Sequence, residues 1–308
     1  MSRALHRYTL VVTVATFVLI VAGALVTSHD AGLAAPDWPL SFGQVFPRMV
    51  GNLFWEHGHR LIASTVGLLT IGLNVFLYVR EPRRWVRRLG FVALLLVIAQ
   101  GLLGGLTVKL LLPLWVSSAH ATLAQIFFCT MVSLSVFTSP GWNAPRVPVD
   151  SDGPPFRYLC AGTCVAILAQ LVMGATLRHS ATWDRLLPST LVLSHVAGAI
   201  LVTLLLLVVC FLVLQKYPDQ KYLKGPALIA GGLLVLQLCL GVAAYITRQW
   251  SPNDPQPLNP MVGITVAHVA CGALVFATTI VLTLRVFRVV PATVGVAEFS
   301  LDTQRAMG

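Results

Sequence analysis

Eight apolar runs, each about as long as a bilayer is thick or longer, constrain this chain more than any other feature. They lie at 8–27, 53–79, 89–108, 114–138, 156–177, 188–214, 225–246 and 261–287. Lipid offers no partner to backbone N–H and C=O groups, so a spanning segment closes its hydrogen bonds on itself, as a helix of about 20 residues. The runs therefore predict an all-α integral membrane protein with eight transmembrane helices. Composition agrees: of 308 residues, 56% are hydrophobic and only 10% charged, too little charge to cover a soluble surface. Runs longer than the crossing length imply tilt or helix beyond the membrane. The first run resembles a signal peptide, but no clear small-residue cleavage site follows it and further spans do, so it reads as retained.

The net charge of +10 raises the question of nucleic acid, and its distribution answers it. With the N-terminus in the cytoplasm, six of the 21 Lys and Arg fall outside: Arg48, Arg60, Lys109, Arg178, Arg185 and Arg248. The rest fall inside, which is the positive-inside bias of a membrane protein. The cluster from Arg80 to Arg88 is then a cytoplasmic anchor, and no nucleic-acid partner is expected. Cys129, Cys160, Cys164, Cys210, Cys239 and Cys271 all fall in or beside predicted helices, with no convincing zinc pattern and no pair in an outer loop. They read as small buried residues.

The runs divide into two four-helix halves, 1–140 and 156–290, joined by a Pro- and Gly-rich cytoplasmic connector (141–155) and followed by a cytoplasmic tail (291–308). Weak internal similarity supports duplication. QGLLGG (100–105) on the third helix and QLVMG (170–174) on the fifth echo QLCLG (237–241) on the seventh, and SAHATLAQ (118–125) echoes VAHVACGA (266–273). Each half crosses an even number of times, so the two share one orientation, as pseudo-symmetric four-helix bundles related by an axis along the membrane normal. Recurrent glycines, among them Gly101, Gly104, Gly105, Gly174 and Gly241, serve either close helix packing or the approach of a flat ring.

His59, His120, His195 and His268 lie near the outer ends of helices two, four, six and eight, all of which run outside to inside. They form one layer, roughly 10 Å below the helix ends at about 1.5 Å of rise per residue. Intramembrane ionisable residues must be satisfied and are functional candidates. Two facing pairs of neutral imidazoles suit the axial positions of haem iron, giving haem as cofactor, with one pair in each half. Structural hydrogen bonding between helices, or copper or zinc, are the competing readings. Glu56, one turn before His59, is a candidate catalytic carboxylate. Arg60 is a candidate partner for a haem propionate, or a snorkelling interfacial cation. His57 points to a different face from His59; His29 and His179 read as exposed outer-loop residues, and His6 has no evident partner. The long outer loop, about 27–52 and carrying GLAAPDWPLSFG (32–43), suggests an ordered interfacial cap.

These residues resemble the haem A synthase (CtaA/Cox15) family along essentially the whole chain. WEHGHR (55–60) fits the family's Glu-x-x-His-Arg pattern, PDWPL (36–40) its first outer loop, and SAH ending at His120, SHVAG from Ser194 and VAHVACGALV around His268 follow in order. The resemblance implies an enzyme oxidising the C8 methyl of haem O to the formyl group of haem A, through a hydroxymethyl stage and a geminal diol. It implies substrate haem O between His59 and His120, a resident haem b between His195 and His268 that passes electrons, and Glu56 beside the substrate. It also implies a haem O synthase as supplier, a terminal oxidase as recipient and an external electron partner, and it allows a homo-oligomer; compact length without an organellar extension favours a prokaryotic plasma membrane. One departure stands out: many bacterial relatives carry a cysteine pair in the first outer loop, where Ala35 and Ser41 stand here. A loop disulfide is impossible, and the expectation is a branch that dispenses with it. Two other functions use the same histidines: a dihaem b-type cytochrome that only relays electrons, and a haem carrier or assembly chaperone.

Overall fold

The structure, a computed structural model, describes residues 3–142, 154–180, 188–249 and 258–290. Eight helices appear: α1 (Arg3–Ser28), α2 (Asn52–Arg80), α3 (Arg84–Lys109), α4 (Leu114–Thr138), α5 (Pro154–Ser180), α6 (Ser189–Lys216), α7 (Lys221–Gln249) and α8 (Asn259–Val289). All are long and apolar enough to cross a membrane. Each contains nearly all of its predicted run and most extend past it by a few polar or charged residues, because a helix that emerges from lipid continues until a proline, a turn or a cap stops it. Most of the connector and the tail (143–153 and 291–308) lie outside the described residues.

Packing closes two rings. In the first, α1 and α3 each contact both α2 and α4; in the second, α5 and α7 each contact both α6 and α8. The rings meet through α4 on α5 and through α8 on α1 and α4. At this seam Ile20, Phe128, Ala273 and Ala277 form a small apolar cluster with Phe17 and Val269 against it. The larger cores are confined to one end. Leu5, Val12, Leu73, Leu77, Val86 and Leu134 fill the first ring, and Leu206, Val213, Leu223, Leu282 and Val286 the second. All of these lie toward the end where α1 begins and α2 ends. The four histidines lie toward the other end, which carries the α1–α2 loop, and no large apolar cluster fills it among the described residues.

Local chemistry holds the packed end. Glu81 closes α2, its N–H bonding Leu77 O at 2.9 Å, and its carboxylate takes Arg83 Nε at 2.7 Å and Nη2 at 2.9 Å. Burial disfavours the ionised carboxyl, but the Arg83 hydrogen bonds outweigh it and keep Glu81 below its ordinary value. Arg83 also reaches Phe137 O on α4 at 2.9 Å. Pro226 sits inside α7 and has no N–H, so the carbonyl of Tyr222, four residues earlier, lacks its helical donor. Arg285 of α8 supplies one at 2.8 Å.

Candidate functional site

The helices pair as four antiparallel hairpins, and each repeats one contact. A glycine near the end of the odd-numbered helix faces the histidine near the start of the next. A Cβ added to Gly23 would lie 3.1 Å from His59 Cε1, to Gly104 3.1 Å from His120, to Gly174 3.0 Å from His195, and to Gly241 3.0 Å from His268. Each imidazole therefore lies close against bare backbone, where even a Cβ would press on the ring. His59 and His120 lie within electrostatic reach of each other, as do His195 and His268. His179 of α5 also lies within electrostatic reach of His120.

Unmet hydrogen-bonding capacity surrounds these rings. Nδ1 of His59, His120 and His268 is buried without a partner in normal geometry, as are the hydroxyls of Ser117 and Ser118 just before His120. Buried polar atoms left unpaired cost about 1–3 kcal/mol each, so they rarely cluster without a reason. Every one of the four histidines is nevertheless only partly buried as a residue. Paired imidazoles set on glycine, with unmet polar atoms beside them, fit a flat iron porphyrin between two helices.

The α1–α2 loop covers this end of the first ring, and WEHGHR (55–60) organises it. Trp55 stacks flat on His29, ring centroids 4.1 Å apart. Glu56, 4% exposed, takes the Ala35 N–H at 2.8 Å and pairs with Arg60. His57 donates Nε2–H to Val45 O at 2.9 Å, which leaves Nδ1 to accept the Ser41 hydroxyl at 2.8 Å. Arg60 donates to Asp37 O at 2.8 Å, Leu40 O at 2.6 Å and Ser41 Oγ at 3.3 Å. Asp37 accepts the N–H groups of Gly43 at 2.8 Å and Phe42 at 2.7 Å, and the bond from Gly43 holds its carboxyl below the usual value. The positive φ of 53° at Phe42 and 70° at Gly43 turns these amides onto the carboxylate.

This network explains how the loop holds without cysteines. Both positions are fully buried. Ala35 contributes its amide to Glu56, and the Ser41 hydroxyl donates to His57 while accepting from Arg60. The same bonds place Arg60 on the loop and on Glu56, a clamp that the sequence does not reveal. His29 differs from its exposed-loop expectation because Trp55 covers it, and His179 belongs to α5 itself and is partly buried. Neither could be read from sequence, since stacking partners 26 residues apart leave no periodic signal.

QGLLGG (100–105) also resolves into separate tasks. Gly104 admits His120, whereas a Cβ on Gly105 would stand 2.8 Å from the Trp38 ring of the loop. Gly105→Val is therefore expected to lift the loop and cost about 1–3 kcal/mol, as overpacking does. A lowered melting temperature with faster proteolysis between Ala31 and Val50 would register it; unchanged values would place Trp38 elsewhere.

Comparison with known proteins adds the lineage. Relatives named Heme A synthase include one from Bacillus licheniformis, 22% identical over 80% of this chain and 88% of its own length. The Alkalihalophilus pseudofirmus relative is 26% identical over 80% of this chain and 89% of its own, and that from Bacillus pumilus 25% over 80% and 87%. Residues 6–186, more than half the chain, match the COX15-CtaA family, described as cytochrome oxidase assembly protein. With eight membrane-length helices and paired histidines already placed, the chain belongs to the COX15-CtaA family.

Proposed function

We propose that this protein is a haem A synthase, an oxidoreductase that converts the C8 methyl group of haem O to the formyl group of haem A. The observation that carries the reading is the buried Glu56 carboxylate one turn from His59, in the ring where His59 and His120 face each other. A protein that only relayed electrons needs no carboxylate there. The relatives' shared name, Heme A synthase, supports the same reading.

Substrate haem O is held between His59 and His120, and His195 with His268 hold a resident haem b. When bound, haem b supplies a one-electron relay for the four-electron oxidation of methyl to aldehyde. The chain does the rest. His59 and His120 hold the substrate across the first ring, and Gly23 and Gly104 give those imidazoles room against bare backbone. The Trp38 and Trp55 loop excludes bulk water. Glu56 keeps one free lone pair on each oxygen after bonding Ala35 and Arg60. It can therefore take a proton from one hydroxyl of the hydrated carbon and hand it to the other, which leaves as water. The positive-inside distribution supports a reading with both termini cytoplasmic and this site toward the outer face of a prokaryotic plasma membrane. A haem O synthase upstream and a terminal oxidase downstream follow from the substrate and product.

The test is to supply haem O to membranes that contain this protein, an electron source and no other haem A producer, then separate extracted haems and identify them by mass. Haem A is the expected product. Haem O and haem b recovered unchanged from folded protein would replace this reading with a dihaem cytochrome or a haem carrier.

A further inference from the structure

Three of the four histidine contacts include a glutamine that the reaction above does not use. It lies four residues before the cradle glycine, on the same helix face: Gln100 before Gly104, Gln170 before Gly174, Gln237 before Gly241. Gln100 Nε2 donates to His120 O at 2.9 Å and Gln170 Nε2 to His195 O at 2.8 Å, each tying the histidine's own backbone. The amide nitrogens also approach the rings: Gln100 Nε2 lies 3.5 Å from His120 Nε2, Gln170 Nε2 3.1 Å from His195 Nδ1 and Gln237 Nε2 3.3 Å from His268 Nε2. The partner helices make room, since a Cβ on Gly198 would fall 2.2 Å from Gln170 Oε1, and one on Gly272 3.2 Å from Gln237 Nε2.

Oε1 of all three glutamines is buried with no partner. A neutral imidazole carries a single N–H. Once one ring nitrogen is an iron ligand, the other bears that hydrogen and needs an acceptor. Each glutamine carries an unpartnered Oε1 on an amide whose Nε2 lies at the histidine, so turning that amide about its last bond brings an acceptor to the ring N–H. On α1 the corresponding residue, four before Gly23, is Leu19. His59 thus has the glycine cradle without the amide.

We propose that Gln100, Gln170 and Gln237 are positioning residues that fix the imidazoles of His120, His195 and His268 as haem ligands, and that Leu19 leaves His59 as the one ligand free to exchange. The asymmetry rests on the haem reading above and deepens it. A resident haem needs both ligands locked; a substrate haem must enter and a product haem must leave, which a weakly held ligand on one face allows.

The experiment uses the purified full-length protein carrying its haem b. Haem transfer to excess apomyoglobin is timed in wild type, Gln237→Leu, Gln237→Glu and Leu19→Gln, with the low-spin electron paramagnetic resonance signal recorded for each. Gln237→Leu should release haem b about 10–100-fold faster, the usual cost of losing a partner behind a ligand. It should also shift the low-spin signal, which a merely structural residue would not move. Gln237→Glu, which keeps an acceptor at that position, should restore both. For the first ring, haem O is loaded and its release timed; Leu19→Gln should slow it by a similar factor. A wild type without any haem spectrum would end the haem reading itself. A haem-bearing wild type with unchanged release and signal in Gln237→Leu, or unchanged haem O release in Leu19→Gln, would overturn this proposal alone.

Discussion

His268→Ala should purify without its resident haem. An axial ligand contributes more than the partners behind it, whose loss alone costs about 10–100-fold in affinity, so haem content by pyridine haemochrome should fall to background. His195→Ala should do the same, while His59→Ala and His120→Ala should keep resident haem b and lose haem O. Gly241→Leu provides a control that leaves every ligand in place. A Cβ there already stands 3.0 Å from His268 Cε1, so the larger side chain must push the ring aside. Loss of haem in Gly241→Leu with the helical circular dichroism retained would tie the effect to ring placement. Full haem content in His268→Ala would remove this residue from the ligand set, and equal losses from both rings in any single variant would break the assignment of one pair to each half.

Some of this architecture is written in sequence periodicity and some is not. Apolar runs of bilayer length leave the backbone one solution, so all eight helices were legible, and the spacing of His59, His120, His195 and His268 along equivalent helices revealed their layer. Glycines were legible as a class but not by task, because Gly104 and Gly105 are adjacent and serve different partners, His120 and the Trp38 ring. Gly23 drew no attention at all, since α1 lacks the glutamine that marks the other three contacts. The loop contacts of Arg60 were not legible for a physical reason: the carbonyls of Asp37 and Leu40 lie about 20 residues upstream, and only the folded loop brings them to the guanidinium. The missing cysteine pair was visible as an absence, but not the polar network that Ala35 and Ser41 join.

Glu56→Gln separates chemistry from scaffolding at this loop. The amide is nearly the same shape and keeps an oxygen for the Ala35 N–H, now 2.8 Å from the carboxylate, while removing the charge and the proton acceptor. Conversion of haem O should fall by about 10²–10⁴-fold, the range for a positioned acid or base, with resident haem b unchanged. Arg60→Lys is the counterpart. It retains the carboxylate but replaces the fork that reaches Glu56 and the carbonyls of Asp37 and Leu40, so the loop loosens while the base stays. If Glu56 acted only by tethering the loop, the two variants would lose activity together and both would show faster loop proteolysis. The expected pattern is different: Arg60→Lys proteolysed faster with most of its turnover left, Glu56→Gln nearly inactive with its loop closed. Normal turnover in Glu56→Gln would take the carboxylate out of the reaction and leave it as the residue that fastens Ala35 in a loop with no disulfide.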